Sequence, residues 1–463
     1  MNFKYLDRII FNENTSLKDV LKRFNETAVH TEKKGFGIII NNEKECIAVV
    51  SDGDIRSKIL QGISIEEPIK SVANYNFVYV FENDDYHNIL RQFDKDVSNL
   101  PLLNKNKQII DLYQYSKFIA SARNEPKIIR ARAPVRISFS GGGTDFSQYI
   151  NHSPSFILSS TINKYCTSSV IVRNDNEIHI YSKDLNKEYV AKNIDNIAFG
   201  DDLDLIKAAI KIMKPNFGID LEVLAEFDRG SGLGGSSSVA VSVIGALNHF
   251  RNENHLDTYN IADLAYQVER IDLGIKGGWQ DQYATSFGGF SYIEFRENKV
   301  LVNPLKINRN IILELEYNLM LFRIGGVRNS GKIQKNHIKS IKSNEEKFIE
   351  YSNKMSNLTI TMKEYLLKGN LKKFGDLLNE SWNIKKKMNS TISNHFIEDC
   401  YNTAIKIGAL GGKLLGAGES GYLLLYASPL YQRQIKLELE SKGAMQEYFK
   451  FSDHGLEVWS TKK

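Results

Sequence analysis

The stretch of this chain best suited to hold a polyanion is Arg229-Gly230-Ser231-Gly232-Leu233-Gly234-Gly235-Ser236-Ser237-Ser238. Its glycines accept positive φ and carry no side chain, so the backbone can turn its amides inward. The apolar run at 239–247 that follows reads as a buried helix. The N-terminal amides and positive dipole end of that helix would face the loop. Three serine hydroxyls add donors and a possible metal ligand. The run lacks the Gly-Lys-Ser/Thr ending of a Walker A loop and is not a dinucleotide fingerprint in a βαβ unit. Richness in Gly and Ser alone would favour a flexible linker. The abrupt switch into an apolar helix argues for a phosphate cradle.

Three further runs carry reactive residue types. In 133–145 a strand bearing Arg136 ends in the turn Gly141-Gly142-Gly143 and then Thr144-Asp145. An Asp at a tight turn commonly serves only as a cap. Glu269 closes a helical stripe of Leu264, Val268 and Ile271, and Asp281 comes twelve residues later, after Gly277-Gly278-Trp279-Gln280. One carboxylate on a helix and one on a glycine-rich turn could share a metal-phosphate site. The run 411–421 is a second glycine-rich loop, ahead of the apolar strand 422–426; on its own it reads as a hairpin with tight turns.

Three regions must position these groups. Residues 1–120 show strand, helix, strand, strand, helix: a helix start at Ser16 with a Val20, Leu21, Phe24 stripe, strands at 35–40 and 46–50, and a helix at 55–60. A weaker copy follows, with a helix at 89–93 and strands at 99–103 and 108–112, so the two copies of about 60 residues suggest a pseudo-symmetric pair. A charged linker at 121–126 leads into 127–308, with strands expected at 132–139, 167–173, 178–181 and 289–294 and helices at 203–213, 236–251 and 261–271. Residues 309–463 carry helical patterns at 343–368 and 371–387 and the final strand pair. The alternation is α+β, not a regular βαβ series.

Bulk properties narrow the function classes. The 463 residues suffice for two or three domains. With 60 basic against 55 acidic residues the net charge is +5, near balance, and no basic run interleaved with aromatics points to nucleic acid. An anionic small molecule would suit the charge. Cys46, Cys166 and Cys400 are scattered and form no Cys-x-x-Cys pair, so neither a disulfide framework nor a zinc site is indicated. No apolar run is long enough to span a bilayer, and the charged N-terminus has no signal-peptide core, so no membrane association and a cytoplasmic location are expected.

Together the four motifs resemble the GHMP kinase family, in the family's order, from Lys127 to about Trp459. The 134–145 run, Gly277-Gly278-Trp279-Gln280-Asp281-Gln282-Tyr283-Ala284 and the segment 321–332 look like the bacterial D-glycero-D-manno-heptose 7-phosphate kinase subgroup. The resemblance implies a two-lobed fold, a ribosomal S5 domain 2-like first lobe at 127–308 and a ferredoxin-like second lobe at 309–463. It also implies ATP and Mg²⁺. Gly230, Gly232, Leu233, Gly234, Gly235, Ser236, Ser237 and Ser238 would wrap the ATP phosphates, with Gly416 and Gly418 closing over them. Ser236 would reach Mg²⁺ with Glu269 as the acidic ligand, Ser237 being the second choice. Asp281 would be the base and Arg136 the cation near the transferred phosphoryl group. Gly142, Gly143, Thr144 and Asp145 would hold the sugar, and Lys164 or Arg328 (with Arg173 and Lys332) its phosphate. The N-terminal region resembles a cystathionine-β-synthase (CBS) pair with an α/β fold. There Ser51 and Asp54 match a ribose-binding hydroxyl and acid, and the second copy, 110–114, lacks them. The pair would bind an adenine nucleotide or serve dimerisation.

The implied reaction phosphorylates the anomeric hydroxyl of a heptose 7-phosphate. L-fucose or a related sugar is the nearest competing acceptor. A catalytically silent, nucleotide-sensing regulator is the competing class, and the intact Ser236, Glu269 and Asp281 set argues against it.

Overall fold

The structure is a computed structural model that describes residues 6–27, 35–93, 97–115, 118, 127–251, 255–297, 299–325, 345–389, 392–416, 418 and 420–462. At the N-terminus, β1 (Ile10–Asn12), α1 (Leu17–Thr27), β2 (Phe36–Ile40), β3 (Cys46–Ser51) and α2 (Asp52–Leu60) form one unit; β4 (Val80–Phe81), α3 (Tyr86–Gln92), β5 (Asn99–Leu103) and β6 (Ile109–Gln114) form a second. Each sheet is a parallel pair followed by an antiparallel hairpin. The helical stripe in α1 buries Leu17, Val20 and Phe24 against Phe11 and Ile39. Ile38 and Cys46 of the first unit pack with Leu103 and Leu112 of the second, joining them in one core. The second unit is seated on the body of the protein: the Tyr115 hydroxyl donates to Asn216 O at 2.8 Å and Asn216 Nδ2 to Phe93 O at 3.2 Å.

The body is built on β7 (Lys127–Ser140) and β8 (Ser155–Val172), an antiparallel pair. Their sheet runs β10 (Lys187–Ala191), β9 (Ile178–Ser182), β11 (Ile219–Ala225), β8, β12 (Phe290–Arg296), β13 (Lys299–Pro304), with β7 also on β8. Sequence pattern locates only the second half of β8. The first half carries Ser159, Ser160 and Thr161, all buried, so small hydroxyl residues hide the expected apolar signal. Thr161 Oγ1 satisfies itself by donating to Ser452 O at 2.8 Å.

A layer of helices covers this sheet: α4 (Asp204–Met213), α5 (Gly235–Asn248), α6 (Thr258–Tyr266) and α7 (Gln280–Phe287). In α5, Ala240, Val241, Val243, Ile244 and Ala246 are all fully buried, as expected of a helix apolar on every side. The helix expected at 261–271 changes character part-way, becoming a π-helix at Gln267–Asp272. The wider winding puts consecutive residues Val268 and Glu269 both in the interior.

The second lobe has the antiparallel sheet β15 (Ala409–Leu414), β16 (Gly421–Ala427), β14 (Leu319–Ile324), β17 (Met445–Glu447). The helices α8 (Glu345–Leu367), α9 (Leu371–Met388), α10 (His395–Ile407) and α11 (Pro429–Ser441) accompany it. The chain then returns: β18 (Phe451–Ser452) pairs with β8 and β19 (Glu457–Lys462) with β7. Residues 309–463 therefore contribute to both sheets, a long-range pairing that no local pattern announces. All three cysteines are buried, and burial pushes the Cys46 and Cys166 thiols up to about 12.

Candidate active site

The two glycine-rich loops meet. A Cβ on Gly416 would stand 2.3 Å from Gly232 Cα, and one on Gly232 would stand 2.5 Å from Leu415 O, so neither position tolerates a side chain. Gly234 caps α5 with φ +79. Gly230, Gly232, Gly234, Gly235, Ser236 and Gly416 line a cavity of about 740 Å³. Leu233 lies beneath the loop, its carbonyl accepting from Arg136 N at 2.9 Å. Gly418 sits behind, against Ile392. Ser238 Oγ donates to Ala133 O at 2.7 Å and fastens the helix start to β7. Ser231 Oγ is buried without a hydrogen-bond partner.

The three serines point to different places. Ser236 is exposed at the cavity wall. Ser237 is buried, and its Oγ donates to Glu269 Oε2 at 2.6 Å. The structure thus brings Ser237 to Glu269, where the resemblance favoured Ser236. Glu269 is 0% exposed and also accepts from Gln282 Nε2. Its other oxygen, Oε1, is buried with no hydrogen-bond partner. Oε1 does stand 3.6 Å from Arg270 Nη1 in an ion pair; a hydroxyl and a carboxylate whose second oxygen accepts no hydrogen bond fit Mg²⁺, which prefers oxygen ligands and keeps several waters. Among the described residues no group of three or more His, Cys, Asp or Glu could hold a metal alone, so phosphate oxygens would complete such a site.

Arg136 and Asp281 form the centre. Arg136 Nε and Nη2 both donate to Asp281 Oδ1, at 2.9 and 2.6 Å, and Nη1 donates to Gly232 O at 2.7 Å. Asp281 lies in the first turn of α7, and its Oδ2 stands 3.4 Å from where a Gly234 Cβ would be. One carboxylate oxygen is therefore held by the cation while the other faces the loop.

Beside them is Asp145, buried, accepting from Gly143 N at 3.1 Å and Gln280 N at 3.0 Å. Burial raises its pKa above the usual carboxylate value, and neighbouring Asp281 adds to the rise. Gly142, Gly143, Ser138 and Gln280 line the same wall. Ser138 Oγ and Gln280 Oε1 are buried without partners, polar atoms available to a hydroxylated ligand. Thr144 turns away, donating to Gly141 O at 2.8 Å and contacting Ser155 Oγ at 2.6 Å. Lys164 lies outside the cavity in an ion pair with Glu447 at 2.7 Å. Arg173 is bound by Asp175, Glu177 and Asp220. Arg328 and Lys332 fall outside the described residues. Sequence reasoning passed over Lys413 and Arg270, which line the cavity. Lys413 is fully buried and donates to Phe139 O at 3.1 Å; burial, then Lys385 and Arg136, holds its pKa well below the ordinary lysine value. A lysine inside an apolar strand was the available signal.

At the N-terminus Ser51 and Asp54 form a capping box on α2: Asp54 N donates to Ser51 Oγ at 3.2 Å and Ser51 N to Asp54 Oδ2 at 2.8 Å.

Comparison with known proteins identifies the family. The family profile "GHMP kinases N terminal domain" matches residues 204–289 and "GHMP kinases C terminal" matches 362–444. A D-glycero-alpha-D-manno-heptose 7-phosphate kinase of Campylobacter jejuni is 35% identical over 343 residues, 72% of this chain and 99% of that protein. The chain belongs to the GHMP kinase family. A crystal structure described as a D-glycero-D-manno-heptose 1-phosphate kinase from Bacteroides thetaiotaomicron is 30% identical, covering 72% of this kinase and 98% of its own chain, with a TM-score of 0.59. An L-fucokinase/L-fucose-1-P guanylyltransferase of Bacteroides fragilis is 27% identical over 347 residues, 67% of this kinase but 36% of that larger protein. The mevalonate kinase of Methanococcus jannaschii, at 22% identity and TM-score 0.55, shares the α+β fold alone. No helix among the described residues is long and apolar enough to cross a membrane.

Proposed function

We propose that this GHMP kinase transfers the γ-phosphoryl group of ATP to the anomeric hydroxyl of a heptose 7-phosphate, giving the 1,7-bisphosphate. The observation that carries this reading is the match along almost the whole Campylobacter heptose 7-phosphate kinase. The chemistry suits the site. Phosphoryl transfer needs positioning and charge neutralisation more than covalent chemistry. The glycine loop and the start of α5 would cradle the ATP phosphates. Ser237 and Glu269 would hold Mg²⁺, which neutralises phosphate charge when bound. Asp281 Oδ2 would take the proton of the acceptor hydroxyl, while Arg136 fixes Oδ1 and offsets charge on the phosphoryl oxygens. Asp145 would accept hydrogen bonds from sugar hydroxyls.

The names of the relatives differ over which acceptor position already bears phosphate. Coupled measurement of ADP release with heptose 7-phosphate, heptose 1-phosphate, free heptose and L-fucose tests the reading. The 7-phosphate should give the highest kcat/KM; free heptose or L-fucose turning over as well would overturn it.

The N-terminal module we read as a CBS pair, tuning the kinase through an adenine nucleotide bound near Ser51 and Asp54 or serving a homodimer. Its two strand–helix–strand–strand units support this. Calorimetric titration of AMP into the full chain and into Asp54→Ala tests it: heat lost in the variant supports a nucleotide site, and no difference leaves the scaffold role. A cytoplasmic location would suit an ATP-dependent step.

A further inference from the structure

We propose that Arg270 and Lys276 form the subsite for the phosphate already carried by the acceptor. The inference rests on the heptose 7-phosphate reading and names the part of the same cavity that would recognise that group. Arg270 lies on the π-helix one residue beyond Glu269, lines the cavity, and has a side chain only 10% exposed. A guanidinium carries five N–H donors. Arg270 Nε donates to Gly278 O at 3.2 Å, and Nη1 is ion-paired with Glu269 Oε1 at 3.6 Å, too long for a hydrogen bond. Most of the fork thus has no acceptor among the described residues. Largely buried N–H donors left without acceptors are costly, and a phosphate oxygen pair matches the fork.

The double glycine explains the placement. A Cβ on Gly277 would be 2.6 Å from Arg270 Cζ, and one on Gly278 would be 2.0 Å from Asp145 Oδ2. The guanidinium and the carboxylate read as sugar-binding therefore press on consecutive bare residues. Gly278 is three residues before Asp281, a separation of at most about 11 Å even if fully extended. A sugar held by Asp145 with its reacting hydroxyl at Asp281 would have its far end within reach of Arg270. Lys276, exposed on the cavity wall and without an ion pair among the described residues, adds a second charge beside it. The glycine loop and the start of α5 would serve the nucleotide phosphates, and Arg270 and Lys276 lie on neither. Lys164 is already paired with Glu447.

The test uses the full-length protein, Arg270→Lys and Lys276→Ala, with heptose 7-phosphate, free heptose and ATP varied in turn. Arg270→Lys keeps the charge and loses the fork; Lys276→Ala removes an exposed group and should fold normally. The preference for 7-phosphate over free heptose should fall about 10- to 100-fold in Arg270→Lys, as for a lost charge-assisted bond. In Lys276→Ala it should fall about 3- to 5-fold, as for an exposed charge. KM for ATP should hold in both. An unchanged preference in both variants, or a rise in KM for ATP instead of for the acceptor, would overturn the subsite. A parent enzyme that shows no preference for the 7-phosphate would overturn the functional reading itself, before any variant is compared.

Discussion

Two places in this molecule bring a serine and an acid together, and only one leaves a buried oxygen without a hydrogen bond. Ser51 and Asp54 are three residues apart, on one exposed turn, and satisfy each other and each other's backbone. Ser237 and Glu269 are 32 residues apart, both fully buried, and Glu269 still has an oxygen that accepts no hydrogen bond. A capping box is a closed local arrangement, worth a helix start. A long-range buried pair with an unmet acceptor is an incomplete one, and a cation with phosphate oxygens would complete it. A hydroxyl and a carboxylate meet at both places; what separates them is whether a buried acceptor remains unmet.

The largest effect should come where the incomplete site meets the reacting groups. Asp281→Asn keeps the shape and removes the base, so kcat should fall about 10²- to 10⁴-fold in steady-state turnover; a near-normal kcat would remove Asp281 from the chemistry. Next is the choice of serine. Ser237→Ala should raise the Mg²⁺ concentration for half-maximal activity about 10- to 100-fold, as for loss of a metal-site partner. Ser236→Ala should do less, and the reverse order would return the metal role to Ser236.

A subtler effect concerns pH. Burial raises the Asp145 pKa, so on acidification it takes up a proton above the pH at which an ordinary Asp would. A neutral Asp145 accepts sugar hydroxyls less well, so KM for the acceptor should climb as pH falls toward that raised value. Asp145→Asn should flatten the acidic limb of the acceptor kcat/KM profile; an unaltered limb would exclude Asp145 as its cause. The smallest effect should be at the closed pair: Ser51→Ala should cost about 1 kcal/mol of stability, the usual loss of an N-cap, read by denaturant unfolding. No loss at all would mean that the capping box contributes nothing and the contrast between the pairs is weaker than drawn.

Local signals made much of this legible from sequence. Glycines followed by an apolar helix announced the loop; the family resemblance, not the spacing alone, put Glu269 and Asp281 near it. The choice between Ser236 and Ser237 was not legible, because successive residues on a helix differ by about 100° and one step turns a hydroxyl from cavity to core. The π-helix was hidden for a similar reason: its apolar stripe resembles that of an α-helix until the inward pair Val268 and Glu269 is seen. The first half of β8 was masked by buried serines and threonines. The return of β18 and β19 to the first sheet depends on partners about 290 to 330 residues away. Lys164 looked available as a cation only because Glu447, its partner, is remote in sequence.

The central claim is that the γ-phosphoryl group of ATP ends on the anomeric oxygen of a sugar that already bears a phosphate. Phosphorus NMR of the enzyme with ATP, Mg²⁺ and heptose 7-phosphate tests it directly. ADP and a new phosphomonoester signal coupled to the anomeric proton are expected, with the original 7-phosphate signal retained. Release of inorganic phosphate without a new ester, or a new ester on any other carbon, would contradict it.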